Sequence, residues 1–336
     1  MTNRFQKWAL ETTIATFLLV LVGGLVRASD SGLGCIDWPT CFGKPYPPLT
    51  RAELLQRDIP DDFDVDNFNI STAWIEYTNR LTGSMIGLLV LGTLFYAIKD
   101  HRKNKRILYP TIGAFITVGV NGWLGKVLIE SELDPNAITA HLLLAWIAIS
   151  LLLYATVSAF YPEGGIPKEV LPHQRKVLAR GALIVLGLAL IQAAFGAELR
   201  GQLEVVEGDN PAMERGDWIH HTNAVDQIHR SYSWVVMGAV LWLGYYVHKR
   251  MDYNHWLRLG TQLTGVLVLL QVAAGIGLAY VSLPPPLEVI HLVNATLLLA
   301  SITLIYLLAT RLPVQDSTAR QDTMPVTKNL HAVSKS

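Results

Sequence analysis

Eight apolar stretches begin near Trp8, Trp74, Tyr109, Ala137, Leu178, Val225, Leu257 and Leu287, each close to the length of about 20 residues that a helix needs to cross the hydrocarbon of a bilayer. A chain with so many spans has little choice of fold. Backbone polar groups in lipid must be satisfied within each segment, which favours helices. Composition agrees: the 336 residues are 51% hydrophobic and only 16% charged, against roughly a quarter charged in a soluble domain. The expected fold is an all-α integral membrane protein of eight transmembrane helices. The first stretch occupies the place of a signal peptide. Its apolar core is too long for one, however, and Arg27 follows where small cleavage-site residues belong.

An even number of spans puts both termini on one side. Lys99 to Arg106 carries five basic residues, Lys168 to Arg180 four, and Lys249 to Arg258 three, so these loops are expected to face the cytoplasm. The opposite loops are acidic, with Asp58, Asp61, Asp62, Asp64 and Asp66 in the first, Glu130, Glu132 and Asp134 in the second, and Glu204 to Asp217 in the third. A net charge of zero therefore conceals a vertical separation, and no nucleic-acid partner is expected. The expected location is the inner membrane of a bacterial cell.

The chain also repeats itself. Glu76-Tyr77-Thr78-Asn79-Arg80 returns 150 positions later as Asp226-Gln227-Ile228-His229-Arg230, His141 returns as His291, and Asn121-x-x-x-Gly125 as Gln271-x-x-x-Gly275. Gly23 and Arg27 match Gly196 and Arg200 at an offset of 173, because the first outer loop, about 28–73, is longer than its counterpart at about 201–224. One four-helix unit is used twice. Four is an even number, so both copies keep their orientation and are expected to be related by a pseudo-twofold axis along the membrane normal. The halves are residues 1–160 and 178–311, joined by a cytoplasmic linker at 161–177. Residues 312–336 turn polar and read as a disordered cytoplasmic tail.

Cys35 and Cys41, the only cysteines, fall in the first outer loop, where the compartment permits a disulfide between them. The alternative is two unpaired thiols.

Of ten histidines, only His141, His229 and His291 lie inside apolar spans. Each stands near the outer end of its helix, at one depth with Asn79. An ionisable side chain in hydrocarbon is costly without a partner and marks function by default. Two histidines on the second and fourth helices of a bundle suit the axial positions of a haem iron, and in the second half these are His229 and His291. A zinc site lacks further ligands at tetrahedral spacing. The plain alternative is that each ring hydrogen-bonds a backbone carbonyl.

Arg80 and Arg230 follow the ligand positions, and Arg27 and Arg200 end the first and fifth helices; such guanidinium groups suit haem propionates or simply snorkel to the interface. Glu76, three residues before Asn79, shares its helical face and suits proton relay or substrate orientation, although carboxylates are also favoured at helix N-termini. Asp226 occupies the same place in the second half. Asn121, Gln192 and Gln271, each four residues before a glycine, read as helix-packing positions.

With these residues in place, the sequence resembles the heme A synthase family, eight-helix membrane enzymes that convert heme O to heme A for cytochrome oxidase. The resemblance covers roughly residues 8–311. It is carried by GGLVRASDSGLGCIDWPTCFG, EYTNRLTG, ITAHLLLAW, QIHRSYSW and EVIHLVNATLLL. It implies oxidation of the C8 methyl group of heme O to a formyl by successive hydroxylations. It also implies a cofactor haem b on His229 and His291, with Arg230 and Arg200 as cofactor-binding residues. The substrate site falls in the first half, with Glu76 and His141 catalytic, His141 on the substrate iron, and Asn79, Arg80 and Arg27 binding substrate. The implied partners are a heme O synthase as donor, cytochrome oxidase assembly and an electron donor that the sequence does not identify; a homo-oligomer is compatible. Many members carry histidine where this chain has Asn79, which leaves the first half a single histidine for iron. A non-catalytic membrane b-type cytochrome is the alternative. A transporter of parallel repeats would need helices broken at mid-membrane, whereas here the polar layer lies near one face.

Overall fold

The computed structural model describes residues 3–61, 63–66, 68–161, 170–251 and 254–313. Among them no strand forms. The helices are α1 (Arg4–Ala28), the single turn α2 (Arg51–Leu54), α3 (Ile70–His101), α4 (Lys105–Glu130), α5 (Pro135–Phe160), α6 (Pro172–Asp209), a 3-10 helix (Arg215–His221), α7 (Val225–Arg250), α8 (His255–Tyr280) and α9 (Pro285–Arg311). Residues 314–336 of the expected tail and 162–169 of the expected linker lie outside the described residues.

Seven of these helices are long and apolar enough to cross a membrane. The eighth long helix, α7, has the same 26 residues as α8. Its apolar run is shorter, because Asp226, Gln227, His229, Arg230, Ser231 and Ser233 fill its outer turns and His248, Lys249 and Arg250 its inner end. Many starts are set by side chains that take up otherwise unpaired N–H groups. Asn3, Asn69, Asn104, Asp134 and Asn254 cap α1, α3, α4, α5 and α8.

Packing follows chain order in each half. Helices α1, α3, α4 and α5 touch in a closed ring, and α6, α7, α8 and α9 do the same; the halves meet through α1 with α9, α5 with α9, and α5 with α6. Within lipid, small residues and hydroxyls supply the attraction that burial supplies in water. Thr12 bonds Thr93 at 2.8 Å and Thr13 bonds Thr156 at 3.1 Å, tying α1 to α3 and to α5. Two tight joints are alike. A Cβ at Gly92 of α3 would lie 2.3 Å from the Trp8 ring of α1, and one at Gly181 of α6 would lie 2.8 Å from the Trp242 ring of α7. At the offsets of 173 and 150 read from the sequence, Trp8 corresponds to Gly181 and Gly92 to Trp242. The same joint thus carries its large side chain on opposite helices in the two halves.

Two contacts between the halves join residues 150 apart. The Trp146 indole donates to the Thr296 hydroxyl at 3.1 Å, and the Arg311 guanidinium to the Tyr161 carbonyl at 2.7 Å.

Several boundaries differ from the sequence reading: α1, α4 and α6 start at Arg4, Lys105 and Pro172, ahead of Trp8, Tyr109 and Leu178. Helix α3 starts at Ile70, a turn before Trp74. Helix α6 runs to Asp209, so residues 201–209, read as loop, are helical. Leu203 and Val206 explain the extension, since they pack with Trp218, Ile219 and Leu283 in an apolar cluster outside the spans.

Candidate functional site

The outer turns of α7 and α9 bring His229 and His291 face to face, with ring centroids 6.4 Å apart and planes at 62°. Small residues on the adjoining helices make the room. A Cβ at Gly196 of α6 would lie 3.0 Å from His229 Cε1, and one at Gly275 of α8 3.3 Å from His291 Cε1. Both Nδ1 atoms are buried without a hydrogen-bond partner, and a buried polar atom of this kind needs one.

The pair fits a haem iron. Two metal–imidazole bonds of about 2 Å, plus the distance from each nitrogen to its ring centre, require roughly 6 Å between centroids. Among the described residues no group of three or more His, Cys, Asp or Glu could hold a metal ion. Two histidines suffice only where the ligand brings the remaining donors, as a porphyrin does.

In the first half, His141 on α5 faces Asn121 of α4, with Nε2 and Nδ2 3.5 Å apart. Its Nδ1 is buried and unpartnered, as is Asn79 Oδ1 on α3. Asn79 is half-buried at the position equivalent to His229, and the nearest approach to Gly23 of α1 leaves 3.9 Å between its oxygen and an added Cβ. The first half therefore offers one imidazole where the second offers two.

Glu76 and Arg80 hold the cysteine loop. Cys35 and Cys41 are joined by a disulfide, and the loop around them docks on α3. Glu76, 3% exposed, accepts the Cys35 N–H at 2.6 Å on one oxygen and pairs with Arg80 through the other. Arg80 also donates to the carbonyls of Asp37 (2.6 Å), Thr40 (2.9 Å) and Cys35 (3.1 Å). A guanidinium has five N–H donors, and here each has an acceptor within the protein. Gly34 is needed for the close approach, since a Cβ there would stand 2.4 Å from the Thr72 carbonyl oxygen. Arg57 fastens the far side, reaching the Cys41 carbonyl at 2.9 Å and Glu53. The apolar side of the loop, Phe42 and Leu54, packs on Ala73.

The second-half counterpart, Asp226 with Arg230, keeps the ion pair at 2.8 Å, but Arg230 is 38% exposed and lies over the Tyr280 ring. Arg27 and Arg200 sit where the halves meet. Arg27 pairs with Glu204; Arg200 lies 3.7 Å from Glu204 and 3.6 Å from Glu288, which also pairs with Arg215 at 2.5 Å. The sequence reading missed Glu204, Glu288 and Arg215 as members of this network, because only the fold brings α1, α6, α9 and the 3-10 helix together. It also read Gln192 and Asn121 as packing positions, whereas Gln192 donates to the His229 carbonyl at 2.9 Å with its nitrogen 3.5 Å from His229 Nε2. Gly196 and Gly275 are places of close approach, with a histidine ring as the partner, whereas a Cβ at Gly125 would meet nothing within 4 Å.

The family model COX15-CtaA, described as cytochrome oxidase assembly protein, matches residues 6–303. The chain belongs to this family. Curated relatives carry the name heme A synthase. That of Flavobacterium johnsoniae is 26% identical over 331 residues, covering 88% of this chain and 95% of its own. That of Shewanella oneidensis is 27% identical over 328 residues, covering 89% and 94%. The matched span takes in both histidine sites, the cysteine loop and the ionic network.

Proposed function

We propose that this COX15-CtaA protein is a heme A synthase, oxidising the C8 methyl group of heme O to a formyl group by successive hydroxylations and loss of water. The observation that carries the reading is the inequality of the two halves: a facing histidine pair in one, and a lone histidine opposite a carboxamide in the other. A bis-histidine iron is closed to further ligands and suits electron relay, whereas an iron with one protein ligand keeps a position open. The second half would hold the resident haem b on His229 and His291, and that group would supply one-electron chemistry. The first half would receive heme O as substrate, with His141 as the residue to hold its iron and Asn79 as a carboxamide contact.

Other residues divide accordingly. Arg230, half-exposed and held at only one nitrogen by Asp226, is the better candidate for a cofactor propionate. Arg27 and Arg200 would meet propionates only by sharing or exchanging Glu204 and Glu288. Arg80 is committed to the cysteine loop, and Glu76 is committed with it, so the two act on substrate by fixing the wall of the first site. Proton movement through Glu76 would require releasing Cys35 or Arg80.

The contacts between residues 150 apart and the exchanged Trp–Gly joints support the pseudo-twofold arrangement, with α7 as the eighth membrane helix. Loop charge supports cytoplasmic termini in a bacterial inner membrane. A heme O synthase as donor, delivery toward cytochrome oxidase, an unidentified electron donor and a possible homo-oligomer complete the reading.

The test is extraction and chromatography of haems from cells making heme O, with and without this protein. Heme A or its hydroxylated precursor is expected only with it. A folded, haem-loaded protein that leaves heme O unchanged would favour the membrane cytochrome instead.

A further inference from the structure

A groove opens on the outside of the bundle between α6 and α7, at the end away from the histidine layer. Val177, Arg180, Gly181 and Ile184 line one side, at the i, i+3, i+4, i+7 spacing of a single helical face, and Ala239 and Trp242 line the other, enclosing about 370 Å³. Arg180 stands 12 residues before Gln192, so along α6 it lies about 18 Å from the level of His229.

Gly181 makes the hollow. The Trp242 ring lies against the α6 backbone where a Cβ would come within 2.8 Å of it, and Tyr246 stacks on that ring at 5.8 Å. The Gln174 amide donates to the Arg250 carbonyl at 2.7 Å and fixes the spacing of the two helices at the mouth.

The lining is apolar except for Arg180, which is exposed and has no hydrogen bond or ion pair among the described residues. Lys176, four residues earlier on the same face, is also exposed and unpaired. The other half treats the same positions differently. At the offset of 173, Lys7 corresponds to Arg180, Trp8 to Gly181 and Glu11 to Ile184. There the cation is answered from its own helix, with Lys7 Nζ 3.9 Å from Glu11, and a tryptophan stands where Gly181 leaves space. Here Ile184, 64% exposed, replaces the acid. The result is an unanswered cation at the head of an apolar trough.

A ligand for such a trough is anionic at one end and apolar along its length. Lys and Arg at the bilayer surface attract anionic lipids, and basic pockets between transmembrane helices hold their headgroups. We propose that this groove binds one anionic phospholipid, with its phosphate against Arg180 and Lys176 and a stretch of one acyl chain along Gly181, Ile184 and Trp242. Bound there, the lipid braces the two helices that carry Gln192 and His229.

The test titrates the full-length protein in detergent with phosphatidylglycerol and, separately, with phosphatidylcholine of the same chains, counting bound lipid by native mass spectrometry. The unsubstituted protein should retain one phosphatidylglycerol in preference to phosphatidylcholine. Arg180→Gln should weaken that binding about fivefold, the worth of one cation at an anionic surface. Ile184→Glu, which gives Arg180 the internal partner that Lys7 has, should weaken it at least as much; Arg180→Gln carries the test alone if this variant fails to accumulate. Lys7→Gln should leave the binding unchanged. Equal retention of the two lipids, or a preference that survives Arg180→Gln, would overturn the proposal. So would an equal loss in Lys7→Gln, which would assign the preference to overall charge. Displacement of the lipid by inorganic phosphate would overturn it in favour of a simple anion site. A dimer that Ile184→Glu breaks, without any lipid preference, would overturn it in favour of a second copy of the chain.

Discussion

Glu76 and Arg80 have partners that their neighbours in sequence do not reveal. Their spacing of four places them on one helical face, and the structure keeps that pairing, but their other partners are 40–45 residues away in the cysteine loop. The pair is well buried, with side-chain exposures of 12% for Arg80 and 4% for Glu76, and removing one partner of a buried ion pair typically costs about 3–5 kcal/mol. Arg80→Ala is therefore expected to destabilise the first half at the upper end for a single substitution. It should also expose the loop to proteolysis while leaving the second-half haem spectrum intact, and loss of that spectrum would contradict the separation of roles. Gly92 makes the complementary case. Gly92→Ala drives a Cβ into the Trp8 ring, so a loss of about 1–3 kcal/mol is expected from overpacking, measured as a lower midpoint of thermal unfolding in detergent. The same substitution at Gly87 of α3, where nothing lies within 4 Å, should have no comparable effect.

Among the elements, helices were legible because a membrane leaves few alternatives: apolar length and loop charge located each one to within a turn or so at the inner ends. The outer segments were not legible in the same way. Residues 201–209 carry enough charge to read as loop, and they stay helical because Leu203 and Val206 find an apolar partner surface that exists only once the 3-10 helix and Leu283 are in place. The first outer loop was recognised as too long for a connector, but its architecture depends on chain crossings that no periodicity reports. One consequence concerns acid. The Leu49 N–H, followed by Arg57, holds the Glu53 carboxyl below its ordinary value. A lowered folded-state value means that its contribution is present above the unfolded value and is lost as pH falls through the folded one. Hydrogen exchange at the Leu49 amide should therefore accelerate, relative to the intrinsic rate, as pH drops below the usual carboxylate range. Glu53→Gln should remove that pH dependence, and an unchanged profile in the variant would assign the loosening to another group.

At the scale of the whole molecule, the two four-helix rings differ at Leu19 and Asn79, which correspond by their offsets to Gln192 and His229. If the carboxamide and the imidazole form one unit, restoring either alone should be unfavourable. Leu19→Gln places an amide among Ile86 and Val90, and an unsatisfied buried polar group costs about 1–3 kcal/mol. Asn79→His places a ring beside Gly23 with no carboxamide next to it. Together they rebuild the arrangement seen at Gln192 and His229, so the double variant should be more stable than the sum of the single losses predicts. A coupling of at least about 1 kcal/mol is expected for groups in contact, measured by a double-mutant cycle on the thermal unfolding of the haem-free protein. Spectra supply the second reading. In the double variant the first half should bind haem as a six-coordinate, low-spin species, and heme A formation should fall because the open position has been filled. Additive stabilities, with a low-spin signal as strong in Asn79→His alone, would show that Leu19 is ordinary packing and that the two halves differ by a single residue.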